Sequence, residues 1–549
     1  MRSLLSGIAV TAIALAAAPA PAADDAPVRI DTGLVTGVPA RDPSITVFKG
    51  IPYAAPPVGP LRWHAPAPAS PWQGVRKADA FGASCPQLDK SVGAMDEDCL
   101  FVNVWTGAKA AGEKRPVMIW FHGGGFTAGS GSDPRTFGEA LAKRGVVLIT
   151  FNYRLGPLGY LASPELSRES GHNASGNYGL LDEIALLHWV QRNIAAFGGD
   201  PANVTVFGHS AGAGSINFLS ISPLAKGLYK RALAESQVRW PQDLELRYLS
   251  SSWRPRAGAE AAGTAYLKGL GVRSLTEARA IPWQKLPNPG NEATDEGVYT
   301  GSSARPPLFR PVVDGWVLPR GFGATFAAHA QNPVAYAAGN NLDEGGAAPR
   351  TAWAGLRGKP RTRDINMGSP FPIVTLANFR AAAEKKFGPM AAEFLKLYPA
   401  TTDNEAAAAN NDAIHDNSQI STWLWARQWT RQTGTPLYTY FWTHALTGPT
   451  HDTRGAFHGS EINYVFDSLV DTDLPWTDED RRIADWMSSY WANYARTGDP
   501  NGPGLPRWPA FNAEDRSVML LGDSFGPQPI ADAARFDFWQ RFFARNEAW

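Results

Sequence analysis

Only two cysteines, Cys85 and Cys99, occur among 549 residues. That excludes a disulfide-dense scaffold, and two cysteines alone do not make a structural zinc site. No charge of either sign is in excess, with 51 basic and 51 acidic side chains and no basic run. Nucleic acid or an anionic membrane surface is therefore not expected as the main partner. Past the N-terminus no apolar run approaches the ~18 residues of a membrane-spanning helix. Internal repeats, Gly/Ser linkers and low-complexity tracts are absent, and neither a G-K-[ST] phosphate loop nor a dinucleotide fingerprint occurs. What is present is a 44% hydrophobic chain with 20 tryptophans, long enough to bury a large core.

The first residues stand apart from that core. Arg2 precedes a largely apolar stretch from Leu4 to Ala18, and Ala20-Pro21-Ala22 offers a small-residue cleavage site before Asp24-Asp25. This reads as a signal peptide over 1–22, leaving 23–549 as one domain that is secreted or periplasmic. In an oxidising compartment the close pair Cys85 and Cys99 reads as one disulfide. Closing so small a loop is worth about 3 kcal/mol on the chain-entropy model.

Along the chain, Val28 to Val35 is strand-like with a turn at Asp31-Thr32-Gly33, and Ile45 to Tyr53 follows. The prolines between Ala54 and Trp63 fix an extended surface path. Glu97 to Trp105 is strand-like again. Pro116 to Phe121 and Val146 to Phe151 are apolar on both faces, as central strands covered by helices on both sides require. Leu180 to Ile194 has helical spacing, and Val204 to Phe207 is a further short buried strand. Strand, helix, strand is the signature of a mostly parallel α/β sheet. From about 240 to 310 short helical pieces alternate with Pro- and Gly-rich connectors. Val334 to Gly339 is a weak strand, 375–432 reads as helices forming a cap, Leu437 to Trp442 is a clear strand and Ile483 to Tyr494 a helix.

The strand at Val204 runs into Gly208-His209-Ser210-Ala211-Gly212, a G-x-S-x-G match. Glycines flank the serine because a strand-to-helix reversal this sharp leaves no room for Cβ atoms. Ser210 is thus a candidate nucleophile, and a serine hydroxyl near neutral pH needs a general base and a group to hold that base. Of ten histidines, His64, His172, His188, His329, His415, His444 and His451 read as packing or surface residues, and His122 and His209 as loop-shaping residues within glycine motifs. His458, in Gly455-Ala456-Phe457-His458-Gly459 after a strong strand, sits where such a fold presents its base. The acid is either Asp343 or Glu344, both following a strand end. His122-Gly123-Gly124-Gly125 also follows a strand, and its bare backbone can bring N–H groups to a developing oxyanion.

These stretches, together with Phe48 to Tyr53, Pro56 to Trp63, Glu97-Asp98-Cys99-Leu100, Asn152-Tyr153-Arg154, Gly176 to Asp182, Phe197 to Pro201 and His458-Gly459-Ser460-Glu461, resemble the type-B carboxylesterases of the carboxylesterase, lipase and cholinesterase group over nearly all of the mature chain. The resemblance implies an α/β-hydrolase fold with a mostly parallel sheet flanked by helices and helical cap insertions. It implies a Ser210–Glu344–His458 triad, since the family's acid is the glutamate of its Asp-Glu-Gly motif. Gly124, Gly125 and Ala211 are the implied oxyanion donors, and Cys85–Cys99 the family's first disulfide.

The implied activity is hydrolysis of a small-molecule carboxylic ester through an acyl-enzyme, with no metal or organic cofactor. Position 209 is His where many members carry Glu, and Gln237 follows Ser236 where Gly is common. These departures point away from choline esters and toward a bacterial-type esterase. Phe126 and Trp240 are candidate pocket walls. Bulky natural esters of feruloyl, tannin or mycotoxin type, and lipase action, are the alternatives within enzymes. A binding protein on the same fold is the rival outside them, disfavoured because serine, acid, base and oxyanion loop are all present.

Overall fold

The apolar runs alternate strictly between two cores, which is the pleat of a sheet buried on both faces. In the run ending at Phe121, Val117, Ile119 and Phe121 enter one cluster while Met118 and Trp120 enter the other. Val147, Ile149 and Phe151 likewise point away from Leu148, and Val204 and Val206 away from Phe207. The computed structural model describes residues 27–247, 252–289, 306–344, 374–448, 451 and 455–549. The predicted signal segment lies outside the described residues.

An 11-stranded sheet forms the centre. Its strands in chain order are β1 (Val38–Pro39), β2 (Thr46–Pro52), β3 (Phe101–Thr106), β4 (Arg115–Phe121), β5 (Val147–Phe151), β6 (Gly199–His209), β7 (Arg231–Glu235), β8 (Ala335–Asn341), β9 (Leu437–Trp442), β10 (Ser517–Leu521) and β11 (Gly526–Pro529). The spatial order is β11-β10-β9-β8-β7-β6-β4-β5-β3-β2-β1. Every neighbouring pair from β5 across to β10 is parallel, and the outer pairs are antiparallel. The chain is therefore α/β with a mostly parallel sheet, as expected. The helices that matter for the site are α1 (Tyr178–Asn193), α2 (Ala211–Ile221), α3 (Asp403–Thr433) and α4 (Asp478–Thr497).

Four strands of the sheet, β1, β7, β10 and β11, escaped the sequence reading. β7, Arg-Ala-Leu-Ala-Glu, is wholly buried although it is bounded by charges. Its charges are absorbed by tertiary partners, with Arg231 Nη1 donating to the Ala495 carbonyl and Glu235 Oε1 accepting from Trp491 Nε1. β10 and β11 lie in the C-terminal stretch beyond Tyr494, where the sequence reading has no strand. The region after 240 also holds a longer helix than expected, Arg256–Gly269.

The expected cap over 375–432 is only partly separate from the sheet. Leu376–Phe387, Ala391–Leu397 and the first half of α3 join Ala533–Ala544 in a third apolar cluster. The second half of α3 instead lies on the sheet, with Trp425 and Trp429 edge-on to Tyr336 of β8 at 5.0 and 5.1 Å.

Cys85 and Cys99 are disulfide-bonded across 14 residues, their Cα atoms 5.0 Å apart. The bridged loop holds the glycine-rich loop after β4. Gln87 Nε2 donates to the Gly129 carbonyl while its Oε1 accepts from Gly129 N–H, both at 2.8 Å. From the other side Tyr153 donates its hydroxyl to the His122 carbonyl at 2.7 Å and stacks on the His122 ring. Arg154 forms a two-point ion pair with Asp182 of α1 at 2.8 and 2.7 Å, both fully buried. Removing one partner of such a pair leaves an uncompensated buried charge and costs about 3–5 kcal/mol.

Candidate active site

β6 ends at His209 and α2 begins at Ala211, so a single residue turns the chain. That residue is Ser210, at φ 57° and ψ −122°, a conformation rarely occupied by residues with a side chain. The turn is held open by neighbours that tolerate no bulk. A Cβ on Gly212 would lie 1.9 Å from the Phe121 carbonyl oxygen, and one on Gly124 2.2 Å from that of Ala128. Ser210 N–H donates to the Glu235 carbonyl of β7 at 2.9 Å, locking the elbow to the next strand.

Gly124 and Gly125 have φ of 109° and 62°, left-handed values that glycine adopts freely. Among the described residues neither amide donates a backbone hydrogen bond. Ala211 is the first residue of α2, and the first amides of a helix have no acceptor within it. Among the described residues the three N–H groups are thus available to donate to an anionic oxygen. The loop histidine, His122, is buried, pushed down to about 4 by burial and tied to the Gly123 carbonyl through Nδ1. It is a neutral structural residue.

β8 and β9 carry the other two groups. Glu344 follows the end of β8, and His458 lies in the loop after β9; His458 Nδ1 and Glu344 Oε2 are 2.6 Å apart. The second oxygen, Oε1, accepts from Asn341 N–H at 3.0 Å. Burial would raise the Glu344 pKa, but the charge and hydrogen bond of His458, the Ser236 hydroxyl and the Asn341 amide hold it below the ordinary carboxylate value. Burial correspondingly lowers His458, and the Glu344 charge and hydrogen bond and the Glu461 charge lift it above the usual imidazole value.

Asp343 takes a different part. Its carboxylate accepts from Ala456 N–H at 2.8 Å and its own N–H donates to the Ala456 carbonyl at 3.0 Å, pinning the loop that carries His458. It is pushed up to about 7, chiefly by burial. The His458 ring packs 4.2 Å from that of His209, the residue before Ser210, so the His458 loop and the elbow meet.

Of the two candidate walls, Phe126 is fully buried against Tyr160 and Phe218 and belongs to the core. Trp240 is half-buried, with its backbone N–H donating to the Ser421 hydroxyl and its indole N–H to Gln242 Oε1. Two residues of the site had no assigned part in the sequence reading. Asn341 gives its backbone N–H to Glu344 and its side-chain amide to Glu461 and to the Phe457 carbonyl. Glu461 itself is fully buried. Their only sequence signal was position, at a strand end and in the His-Gly-Ser-Glu stretch. Among the described residues no group of three or more His, Cys, Asp or Glu side chains could hold a metal ion, and no helix is long and apolar enough to cross a membrane.

A model of the carboxylesterase family matches residues 24–539. The chain is 33% identical to fumonisin B1 esterase of Sphingopyxis macrogoltabida over 90% of this chain and 86% of that protein. It is 32% identical to para-nitrobenzyl esterase of Bacillus subtilis (strain 168), over 86% of this chain and 90% of that one. It is also 32% identical to cocaine esterase of Oryctolagus cuniculus, covering 92% and 94% respectively. Among solved structures, a PNB esterase superposes with a TM-score of 0.72 at 30% identity, covering 94% of this chain and 100% of that one.

Proposed function

The chain belongs to the carboxylesterase family, has the α/β-hydrolase fold and is a carboxylic ester hydrolase, and from that premise we propose that it works through a Ser210–His458–Glu344 triad and an acyl-enzyme. The observation that carries this reading is the strained Ser210 elbow beside the 2.6 Å His458–Glu344 pair. Ser210 Oγ attacks the ester carbonyl as His458 Nε2 takes its proton. Glu344 fixes the tautomer that leaves Nε2 free and stabilises the imidazolium as it forms. The N–H groups of Gly124, Gly125 and Ala211 hold the oxyanion of the tetrahedral intermediate, each such donor worth roughly 10²–10³ in rate.

Collapse expels the alcohol, protonated by His458, and leaves the acyl group on Ser210. Water, giving its proton to His458, then attacks the acyl carbonyl, and the acid departs as Ser210 recovers its hydrogen. The same reading takes 23–549 as one catalytic domain, exported after loss of 1–22. The Cys85–Cys99 disulfide supports an oxidising compartment.

A second reading concerns the substrate alone. The 33% identity to a fumonisin B1 esterase over 90% of the chain favours a bulky natural ester over a simple short-chain one. Turnover of p-nitrophenyl esters from acetate to palmitate by the wild type and Ser210→Ala tests the mechanism. Loss of turnover and of fluorophosphonate labelling in Ser210→Ala is expected. A fully active Ser210→Ala protein overturns it. A wild type that labels but turns over no simple ester moves the substrate to the bulky class.

A further inference from the structure

Behind His458 lies a second imidazole and a second carboxylate that the mechanism above does not use. His209 is 6% exposed and Glu461 is fully buried. His209 Nε2 and Glu461 Oε1 face one another at 4.0 Å, and neither atom has a hydrogen-bond partner among the described residues. Two such atoms in a low-dielectric interior are costly to leave apart, and a ring shift of about 1 Å joins them at ordinary hydrogen-bond length. Both members also touch the triad. The His209 ring packs against the His458 ring at 4.2 Å. Asn341 donates its side-chain amide to Glu461 Oε2 at 2.5 Å and its backbone N–H to Glu344 Oε1 at 3.0 Å, so one residue holds both carboxylates in register.

We propose that His209 and Glu461 are positioning residues of this site: His209, as the Nε2–H tautomer, donates to Glu461, keeps that carboxylate ionised beside His458, and so sets the pH at which His458 becomes a free base. The proposal rests on the Ser210–His458–Glu344 reading.

The surrounding charges decide whether this is electrically reasonable. Burial, aided by the neighbouring His458 and Arg135 charges, drives His209 well below the usual imidazole value, so it is neutral and able to donate. On the neighbouring strand Glu235 is driven well above the carboxylate range by burial and by the Glu461 charge. It is neutral, and its Oε1 accepts from Trp491. Glu461 is pushed up to about 7 by burial and the Glu344 charge, against the pull of Asn341 and His458. Its charge therefore changes near neutral pH, as does that of Asp343, which is turned to the Ala456 amide. Tyr440 lies beside all three carboxyls as a neutral phenol, its hydroxyl pushed far up by burial. Arg239 opposes protonation of His458, and Glu344 favours it. Asp343 faces Glu344 from the adjoining residue.

The sign follows from Coulomb's law. An ionised Glu461 stabilises the His458 imidazolium, so removing its charge lowers the pH at which His458 loses its proton. The test is the pH dependence of kcat/KM for p-nitrophenyl acetate in the wild type, Glu461→Gln, His209→Leu, His209→Gln and the Leu/Gln double variant. Glu461→Gln is expected to move the acid limb down by about one pH unit. His209→Leu moves it the same way, and the double variant moves no further than Glu461→Gln alone, because one device has been removed twice.

His209→Gln, whose amide can still donate, keeps the limb where the wild type has it. Limbs that stay within about 0.2 of the wild type in Glu461→Gln and His209→Leu, in proteins that still label with fluorophosphonate, overturn the proposal and leave the pair as packing. If His209→Leu does not fold, Glu461→Gln and His209→Gln decide alone. Failure of the triad is separately visible, as turnover that survives in Ser210→Ala.

Discussion

His458 and His444 are both held by carboxylates at 2.6 Å, and carboxylates lift both above the ordinary imidazole value against the opposing effect of burial. In the proposed mechanism only one of them moves a proton. His458 uses Nδ1 for Glu344, and among the described residues its other nitrogen has no carboxylate partner. His444 has Nδ1 on Asp523 and Nε2 on Asp480, at 2.6 and 3.1 Å, so both ring nitrogens are committed. Asp480 is also the third residue of α4, and it completes a capping box with Thr477 while accepting from the Tyr464 hydroxyl. An imidazolium between two carboxylates is a structural cation. The difference teaches that an imidazole–carboxylate pair identifies a base only where the second nitrogen is left free.

The sharpest way to break that comparison is to remove each ring. His458→Gln should lose about 10⁴-fold or more in kcat while staying folded. His444→Gln should keep kcat within about threefold, a margin set by the absence of any transition-state contact. Steady-state kinetics on both decides it, and an inactive but folded His444→Gln protein would make the two histidines alike. Changing the carboxylates sharpens the same point. Glu344→Gln should cost about 10³–10⁴ in kcat by favouring the wrong tautomer. Asp343→Asn, at the carboxylate that accepts from the Ala456 amide, should lower thermal stability and leave most of the turnover.

Smaller effects lie on the structural side. His444→Gln should lower unfolding stability by about 1–2 kcal/mol, the worth of hydrogen bonds to charged partners. The His444 pKa is raised in the folded state, so its contribution is fully present below the unfolded value of about 6.5. It fades as pH rises through the folded value. The Asp480 pKa is lowered, since its hydrogen bonds from Thr477, Tyr464 and His444 outweigh burial. Its contribution is present above about 3.8 and lost as pH falls through the folded value. Denaturant melts should therefore show the largest wild-type advantage between about pH 4 and 6.5, and an advantage constant to pH 9 would contradict the clamp. Asp523→Asn should matter least, at about 0–1 kcal/mol, because that carboxylate is 66% exposed.

Much of this was legible in the residues alone because it depends on local rules. Alternation in Val117 to Phe121 fixes a strand covered on both faces. Glycine at 208 and 212 fixes an elbow, since no Cβ fits there. Ser210, the Asp343-Glu344 pair and His458 follow strand ends in that chain order, and it took the family resemblance to single out Glu344 as the expected acid. Local rules fail where a residue's environment comes from far along the chain. Arg231 to Glu235 has no strand pattern because its polar end residues are satisfied by hydrogen bonds with Ala495 and Trp491, more than 250 residues away. Phe126 looks like a pocket wall by position, yet Tyr160 and Phe218 close over it. His209 and Glu461 are each unremarkable in sequence. Only folding brings one against the other beneath His458, in an interior dry enough for a single charge to be felt.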